Sequence, residues 1–246
     1  MGKKHKKKTV SASGKPFVSV CTPTYNRRKF IPTLIECFKA QTYPSELMEW
    51  IIIDDGTDKV DDLFEGIEQV KYFYYPDKMK LGRKRNLMHE KCKGDIIVYM
   101  DDDDYYPPER VNSAVNRLRS RPEALAVGSS RLYIYFKKLN KIYEFGPYGP
   151  CHATAGTLAF KKELLKQTKY DDEAEIAEEK KFLKNYTIPL VQLSPEKSIL
   201  VVSHDYNTFD KMKLLVNANP KFVKETTLTT KFFIKNKQLR EFYETI

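Results

Sequence analysis

The stretch GDIIVYMDDDDYYPP, residues 94–108, decides the fold of this chain. Within it, five apolar or aromatic residues at 96–100 run directly into four consecutive aspartates at 101–104. An uninterrupted apolar run of this length predicts a strand that is buried on both faces. The four carboxylates would then emerge together at the end of the strand, where they repel one another unless a cation or a hydrogen-bond donor neutralises them.

Similar apolar strands alternate with amphipathic helices through the first half of the chain. The strand patterns are FVSVCTPTYN, EWIIIDDGTD, VKYFYY and GDIIVYM, and the helical patterns that follow them are RRKFIPTLIECFKAQ, DDLFEGIEQV, LGRKRNLMHEKC and PERVNSAVNRLRSR. This alternation predicts an α/β fold with a Rossmann-like, mostly parallel central sheet flanked by helices. Ligands bind such sheets beyond the carboxyl ends of the strands, which here carry PTYNR, DDGT and DDDD.

The second half of the chain does not continue the alternation of apolar strands and amphipathic helices. ALAVGSSRLYIYFKK and KIYEFGPYG alternate aromatic residues and predict a small antiparallel extension, while DDEAEIAEEKKFLKN predicts an acidic helix. TIPLVQL and SILVVSH predict two more strands, and the lysine-rich end from about residue 217 predicts helix. We therefore expect a basic disordered tail at 1–16, one globular domain at 17–205, and a helical extension at 206–246 that packs on the domain.

Composition limits the classes of function. The 246 residues are 41% hydrophobic, which is enough for one large core, and the formal net charge is +10. Five lysines in the first eight residues account for half of that charge. This segment is either a solvated arm or a contact for an anionic surface. The remaining basic residues are dispersed and form no nucleic-acid-reading motif, so we expect no nucleic acid partner and at most peripheral membrane contact through the tail.

Cysteine spacing and hydropathy indicate the compartment. Cys21, Cys37, Cys92 and Cys151 are far apart and form no CxxC pair, which favours reduced thiols over a zinc module. The sequence has neither an apolar run of membrane-spanning length nor a signal peptide, so we expect a cytoplasmic protein. It also lacks the glycine-rich phosphate loops of ATPases and dinucleotide-binding oxidoreductases.

Six motifs in order give the chain a resemblance to a known family. VSVCTPTYNR, IIIDDGTD, LGRKRN, IIVYMDDDDYYPP, ATAGTLAF and EIAEEKKFL, spread over about residues 17 to 205, resemble the family 2 glycosyltransferases of the GT-A fold. The resemblance implies an enzyme of hexosyltransferase type. It would move a sugar from a nucleotide-diphosphate donor, most simply a UDP-sugar, to an acceptor hydroxyl of a glycan, a protein or a lipid-linked molecule. It also implies inversion and dependence on Mn²⁺ or Mg²⁺, which carboxylates would hold against the diphosphate.

The resemblance further implies roles for individual residues. The DxD pattern and a later histidine give the metal ligands, which are Asp103, Asp101 and His204. The nucleotide would contact residues from the first four motifs, which are Pro23, Thr24, Tyr25, Asp54, Asp55, Arg85, Asp101 and Asp102. Four aspartates in a row leave the register of the DxD motif open by one residue.

Glu178 and Glu179 lie where the family has a Glu-Asp pair, whose second acid is the general base. This implies that Glu179 takes the proton of the acceptor hydroxyl. Here a glutamate replaces the aspartate, and further acids crowd nearby, so the alternative is a solvated acidic helix face.

Two other functions remain open from the sequence. A nucleotidyltransferase also combines an α/β sheet with metal-binding acids, although the chain lacks the glycine-rich activating loop. The net charge and sixteen tyrosines suggest a basic nucleic-acid-binding module as the other alternative.

Overall fold

The computed structural model describes residues 14–246, so nearly all of the predicted basic tail lies outside the described residues. The strands are β1 Val18–Thr24, β2 Met48–Asp54, β3 Val70–Tyr74, β4 Ile96–Tyr99, β5 Ala126–Gly128, β6 Leu132–Phe136, β7 Lys141–Phe145, β8 Ala159–Lys161, β9 Leu190–Gln192, β10 Leu200–Ser203 and β11 Val223–Glu225. The α-helices are α1 Ile31–Lys39, α2 Leu81–Lys91, α3 Arg110–Ser120, α4 Glu178–Phe182, α5 Thr230–Phe233 and α6 Lys237–Thr245. Within residues 14–246, no helix is long and apolar enough to cross a membrane.

Seven strands form the central sheet in the order β3-β2-β1-β4-β8-β5-β9. The first four are parallel to one another, and β5 pairs with β9 in parallel. Strand β8 runs antiparallel to both of its neighbours. The predicted α/β fold with a mostly parallel sheet is therefore confirmed.

The middle of this sheet is buried on both faces. Every residue of β1, β2 and β4 is buried, as their largely apolar sequences predict, and the buried Ser19 of β1 donates a hydrogen bond to Glu49 of β2. Helices α1 and α3 pack on one face, where the ring of Phe38 stacks on Trp50 with centroids 4.4 Å apart. Helices α2 and α4 contribute Met88 and Phe182 to the core on the other face. These layers hold the carboxyl ends of the strands in fixed positions.

A second sheet of four strands, in the order β10-β6-β7-β11, forms the predicted extension. It is antiparallel except for the parallel pair of β10 and β6. The backbones of Tyr105 and Leu200 exchange two hydrogen bonds of 3.1 and 2.9 Å, which join this sheet to the loop after the four aspartates. The second sheet therefore lies directly beside the carboxylate edge of the first.

Three local predictions were wrong. Only a short 3₁₀ turn, Asp61–Phe64, replaces the helix predicted for DDLFEGIEQV, because the chain turns at Gly66 with a φ of +76° that helices do not contain. The acidic helix is confined to α4, which begins after Ala177 at a φ of +54°. The C-terminal segment is not helical throughout, since it contributes β11 to the second sheet.

Candidate active site

The ends of three parallel strands meet at one edge of the central sheet. Thr24 at the end of β1 pairs in register with Asp54 at the end of β2. Strand β4 runs beside β1 on its other side, so residues 101–104 emerge at the same edge. The polar segments that follow these strands are therefore neighbours in space, as the parallel sheet predicts.

A turn built around Asn26 shapes the first of these segments. Asn26 has a φ of +53°, and its side-chain Oδ1 accepts hydrogen bonds from the backbone nitrogens of Thr57 and Asp58 at 2.8 and 3.1 Å. A Cβ atom at Gly56 would lie 2.6 Å from the backbone nitrogen of Asn26. Only glycine therefore lets the two turns after β1 and β2 approach this closely.

Asp54 and Asp55 are 1% and 2% exposed, and both use their carboxylates within the fold. Asp54 accepts a hydrogen bond of 2.5 Å from the hydroxyl of Tyr72. Asp55 forms an ion pair with Lys84, whose ammonium also donates to the carbonyl of Thr24 at 3.0 Å. The structure thus places the two acids beneath the site, where they fix the turn and the lysine above them.

A cavity of about 440 Å³, called the polar cavity below, opens above these turns. Seven of the predicted site residues line it, namely Pro23, Thr24, Tyr25, Arg85, Asp101, Asp102 and Asp103. Sequence reasoning assigned no role to four further lining residues, which are Asn26, Arg27, Lys78 and Lys84. Asn26 and Arg27 lie within the first quoted motif and Lys84 within the third, and the positive charges of Arg27, Lys78 and Lys84 opposite a run of acids were the signal that could have found them.

Arg85 of α2 joins two of the predicted acids. Its guanidinium is 2% exposed, donates to Oε1 of Glu178 at 2.7 Å and lies 3.3 Å from Oδ1 of Asp101. Both negative charges raise the pKa of Arg85 against the opposing effect of burial, so the arginine stays charged. Arg85 therefore connects the end of β4 with the start of α4.

Arg27 lies against the next two aspartates. Its Nε is 3.6 Å from Asp102 and its terminal nitrogen is 3.7 Å from Asp103. A further donation of 2.5 Å to the carbonyl of Tyr206 holds this side chain in place. A guanidinium thus supplies part of the positive charge that the acidic strand end requires.

Asp103 also faces His204, which follows β10. Oδ2 of Asp103 lies 3.7 Å from Nε2 of the imidazole and accepts a hydrogen bond of 3.1 Å from Asn207. The other ring nitrogen, Nδ1, accepts from the backbone nitrogen of Tyr206 at 3.1 Å. Burial lowers the pKa of His204 to about 4, so the ring is neutral at physiological pH.

The pKa values of the four aspartates shift in different directions. Burial raises the pKa of Asp101, that of Asp102 to about 7, and that of Asp104 well above its usual value. The pKa of Asp103 is lowered instead, because the nearby charges of Lys211 and Arg27 outweigh its burial. Burial thus penalises the charged form of three of the four acids, and a cation placed beside them would favour that charged form.

Asp104 does not line the polar cavity, and it holds its loop to two other elements of the fold. Its Oδ1 accepts a hydrogen bond of 2.9 Å from the backbone nitrogen of Val202 in β10. Its backbone carbonyl accepts another of 2.9 Å from the hydroxyl of Tyr243 in α6. The fourth acid of the run thus anchors the loop to the second sheet and to the C-terminal helix.

Arg110, at the start of α3, is a second residue that sequence reasoning missed. Its guanidinium is fully buried and donates to the backbone carbonyls of Tyr99, Gly156 and Leu158 at 3.2, 3.3 and 2.8 Å. Burial lowers its pKa to about 10, which still leaves it protonated at neutral pH. Arg110 fixes the segment around Gly156 against the end of β4.

Glu178 and Glu179 begin α4 and have different surroundings. Glu178 is held by Arg85, as described above. Glu179 is 8% exposed, and its Oε1 lies 3.4 Å from the hydroxyl of Tyr186. Burial, followed by the charge of Glu178, raises the pKa of Glu179 to about 7. One carboxylate is thus fixed in an ion pair, and its neighbour can exchange a proton near neutral pH.

A second cavity of about 440 Å³, called the apolar cavity below, lies between the second sheet and α4. Glu178 and Gly156 line it, together with aliphatic and aromatic side chains of the second sheet. The two cavities share five lining residues, which are Leu81, Arg85, Asp101, Asp103 and Thr208. Molecules in the two cavities would therefore meet at Asp101 and Asp103.

The chain belongs to glycosyl transferase family 2, whose model matches residues 19–174. The mixed α/β fold with strand-end carboxylates is that of the GT-A glycosyltransferases.

Two curated relatives are similar to parts of the chain. An uncharacterized glycosyltransferase of Haemophilus influenzae is 30% identical over 106 residues, which are 41% of this chain and 42% of that protein. A glucosyl-dolichyl phosphate glucuronosyltransferase of Haloferax volcanii is 30% identical over 117 residues, which are 46% of this chain and 37% of that protein. The chain therefore matches less than half the length of either relative.

Solved structures share the fold at low identity. A mannosyltransferase of Pyrobaculum calidifontis, PcManGT, in complex with GDP-Man and Mn²⁺, has a TM-score of 0.63 and 17% identity, covering 78% of this chain and 59% of the other. TarS of Staphylococcus aureus, residues 1–349 with UDP-GlcNAc, has a TM-score of 0.58 and 19% identity, covering 77% and 59%.

Proposed function

We propose that this chain transfers a sugar from a nucleotide-diphosphate donor, a UDP-sugar in the first instance, to an acceptor hydroxyl with inversion. The observation that carries the proposal is the meeting of a polar and an apolar cavity at Asp101, Asp103 and Arg85. A transferase needs two substrates in contact at one group of charged residues, and adjoining cavities supply that arrangement.

In this proposal the donor lies in the polar cavity. Arg27, Lys78 and Lys84 line it and supply positive charge for the diphosphate. Pro23, Thr24 and Tyr25 form the nucleoside pocket. Asp54 and Asp55 act from below by holding the turn and Lys84 in place.

The donor atoms at this edge fit Mn²⁺ or Mg²⁺. Within residues 14–246, no group of three histidine, cysteine or acidic side chains is arranged around a common metal position. Asp103 and His204 nevertheless face each other at 3.7 Å, and Asp101 lines both cavities, which suits metals held by one or two carboxylates plus substrate phosphates. Asp103, Asp101 and His204 would hold the ion. A bound divalent cation would neutralise charge on the departing diphosphate.

We assign the general base to Glu179. The acceptor oxygen attacks the anomeric carbon, and the bond from that carbon to the diphosphate oxygen breaks. The electron pair of that bond leaves with the nucleoside diphosphate, and the proton of the hydroxyl passes to the carboxylate. A pKa of about 7 suits a base that works at neutral pH. The ion pair with Arg85 assigns Glu178 to positioning instead.

The partners and the compartment form part of the proposal. Acceptors include a glycan, a protein or a lipid-linked molecule, and nucleic acid is not among them. Any contact of the lysine-rich tail with a membrane concerns residues outside those described. The four cysteines are free, which supports a reducing compartment, and we propose the cytoplasm.

Incubation with a panel of nucleotide sugars tests the function. The panel contains UDP-GlcNAc, UDP-glucose and GDP-mannose, each with Mn²⁺ and with excess EDTA, and release of the nucleoside diphosphate is measured. We expect release with one UDP-sugar and loss of release in EDTA. Calorimetry with UDP and GDP measures nucleotide binding to the donor site independently of any acceptor. Absence of both nucleotide binding and release across the panel would disprove the proposal.

A further inference from the structure

Three consecutive residues after α4 have a left-handed backbone conformation. Lys184, Asn185 and Tyr186 have φ angles of +49°, +55° and +60°. This conformation is unfavourable for residues other than glycine, and it normally occurs at single positions rather than in runs. The segment, called the left-handed turn below, is therefore strained, and other contacts in the fold must offset that strain.

The end of α4 accounts for the first two of these residues. The backbone nitrogen of Lys184 donates to the carbonyl of Lys181 at 2.9 Å, and that of Asn185 donates to the carbonyl of Lys180 at 2.8 Å. This pair of hydrogen bonds is the Schellman motif, in which the residue after the helix end is left-handed. Asparagine tolerates the same conformation better than most residues do. Neither reason applies to Tyr186.

Tyr186 is exceptional among the described residues. Outside the left-handed turn, the residues other than glycine that have a positive φ within 14–246 are Asn26, Asn140, Asn217 and Ala177. None of these has a side chain as large as that of tyrosine. Backbone strain at a bulky residue is unfavourable, and such strain is found most often at functional sites. The contacts of the Tyr186 side chain therefore indicate the purpose of the conformation.

The side chain of Tyr186 lies between the proposed base and the wall of a cavity. Its hydroxyl is 3.4 Å from Oε1 of Glu179, within hydrogen-bonding distance. Its ring packs against the imidazole of His152, with ring centroids 4.5 Å apart. His152 lines the apolar cavity, whereas Glu179 lines neither cavity. Tyr186 thus connects the cavity wall with the carboxylate behind it.

Other elements hold His152 in place. Nε2 of Gln192 in β9 donates to the backbone carbonyls of Pro150 and His152 at 2.8 and 3.0 Å. The ring of Tyr148 lies 5.0 Å from the imidazole, between centroids. The ring of Tyr186 is therefore supported by residues outside α4, and this support fixes the position of its hydroxyl relative to the helix.

From these contacts we infer that Tyr186 is a positioning residue for transfer. Its hydroxyl holds one oxygen of the Glu179 carboxylate, so that the carboxylate keeps one orientation and the charged form that accepts a proton. The left-handed turn places the hydroxyl at that oxygen. This inference rests on the proposed function, because it concerns the base that we assign there.

Titration of the Glu179 carboxyl group tests the inference without donor or acceptor. The full chain is labelled with ¹³C at its glutamate carboxyl carbons, and the Glu179 resonance is identified by its loss in Glu179→Gln. The charged or titratable neighbours of Glu179 include Glu178, Arg85, Tyr170 and Tyr186. Tyr186→Phe removes only the hydroxyl. Because a donated hydrogen bond favours the charged carboxylate, its loss should raise the pKa of Glu179 by about half to one pH unit. An unchanged pKa would overturn the inference.

Tyr143→Phe is the matched control. The hydroxyl of Tyr143 also donates to a glutamate, Glu225, at 2.8 Å, and both residues lie outside the two cavities. This variant should leave the pKa of Glu179 unchanged. An equal shift in the control would assign the effect to the general loss of a tyrosine hydroxyl and overturn the inference.

Transfer rates distinguish positioning from a purely structural role. In Tyr186→Phe, kcat at about pH 6 should fall roughly fivefold and recover above about pH 8, because less of Glu179 is charged in acid. Nucleotide affinity and the thermal unfolding midpoint should stay near those of the parent. In the Glu179→Gln background, Tyr186→Phe should cause no further loss, because it acts through Glu179. An equal loss in both backgrounds would overturn the inference.

Two outcomes separate this inference from the proposed function. A chain that transfers sugar, but in which Tyr186→Phe leaves the pKa of Glu179 unchanged, retains its function and loses the role of Tyr186. A chain that neither binds a nucleotide nor releases one from the donor panel would disprove the proposed function, and the role of Tyr186 in transfer with it, whatever the titration shows.

Discussion

The polar and apolar cavities have similar volumes and share Asp101, but they are built in different ways. Charged side chains from the loops after β1 and β4 and from residues 78–85 surround the polar cavity, and ion pairs such as that of Arg85 with Glu178 fix their positions. The apolar cavity takes one wall from packed aliphatic and aromatic side chains of the second sheet, and acids from residues 101–104 and 175–178 line its other side. One half of the site is thus organised by electrostatics and the other by burial, so changes in the two halves should have separable effects.

The largest effect should come from the charged half. Asp103→Asn keeps the shape of the side chain and removes the charge that a divalent cation requires. We expect turnover to fall by about 10⁴-fold, together with the metal dependence of nucleotide binding, while the thermal unfolding midpoint stays near that of the parent. Glu123→Gln, at an exposed position, is the control and should change neither quantity. Full activity of the parent chain in excess EDTA would contradict the prediction.

The next largest loss should come from α4, where Glu178 lines the apolar cavity and Glu179 lines neither cavity. Glu179→Gln keeps the side-chain volume and removes the basic oxygen, so transfer should fall by roughly 10² to 10⁴-fold while nucleotide binding survives. Glu178→Gln should have a smaller effect. The reverse ranking would move the base to Glu178, and near-normal transfer in both variants would exclude α4 as its source.

The same base gives transfer a pH dependence. With a pKa of about 7, Glu179 is protonated in acid and cannot accept a proton, so the rate should rise about tenfold per pH unit up to neutrality and then level off. The pKa of Asp102 is also raised to about 7, so Glu179→Gln serves as the control. If the acidic limb of the profile persists in that variant, it belongs to Asp102.

A smaller effect, confined to the apolar half, should follow from narrowing the cavity. Gly156→Val would place methyl groups between Ile199 and Asp101, where even a Cβ atom is close. Transfer should fall by about 10 to 100-fold with unchanged nucleotide affinity, and Gly156→Ala should lose less because the end of the Ile199 side chain can shift. An equal loss of nucleotide affinity would show that the two halves are not separable.

The smallest effect should come from the tail. Deletion of residues 1–12 should leave turnover on a small water-soluble acceptor nearly unchanged, because these residues precede β1 and supply no assigned site residue. Its effect should be limited to binding of anionic vesicles and should weaken as salt is added. A large loss of turnover on the small acceptor would place the tail in the active site.

Local pattern predicted the charged half of the site well. Strand β4 is an unbroken apolar run and β1 and β2 are largely apolar, and a parallel sheet brings the ends of such strands together. The clustering of Thr24, Asp54 and Asp101 at one edge follows from that rule alone. The strand pattern does not predict which basic side chain pairs with which acid. The pairing of Arg27 with Asp102, for example, depends on side-chain directions that the pattern leaves open.

The apolar half could not be predicted in the same way. The aliphatic and aromatic side chains of β6, β7 and β10 and the segment around Phe209 that line it lie in none of the six motifs. Arg110 was missed for a similar reason, since an arginine at a helix start is usually solvated and only the tertiary packing reveals its three carbonyl partners. The wrong helix at residues 61–70 reflects a turn at Gly66 that competed with a weak helical pattern.

The hydrogen bond from the Tyr243 hydroxyl to the carbonyl of Asp104 links positions 139 residues apart. On the ribosome, the four aspartates therefore emerge long before the helix that supports their loop has been made. Contacts of such large sequence separation close late in folding, because the chain entropy lost in closing the loop must first be offset. The loop of the four aspartates thus gains this support only after the C-terminal helix docks.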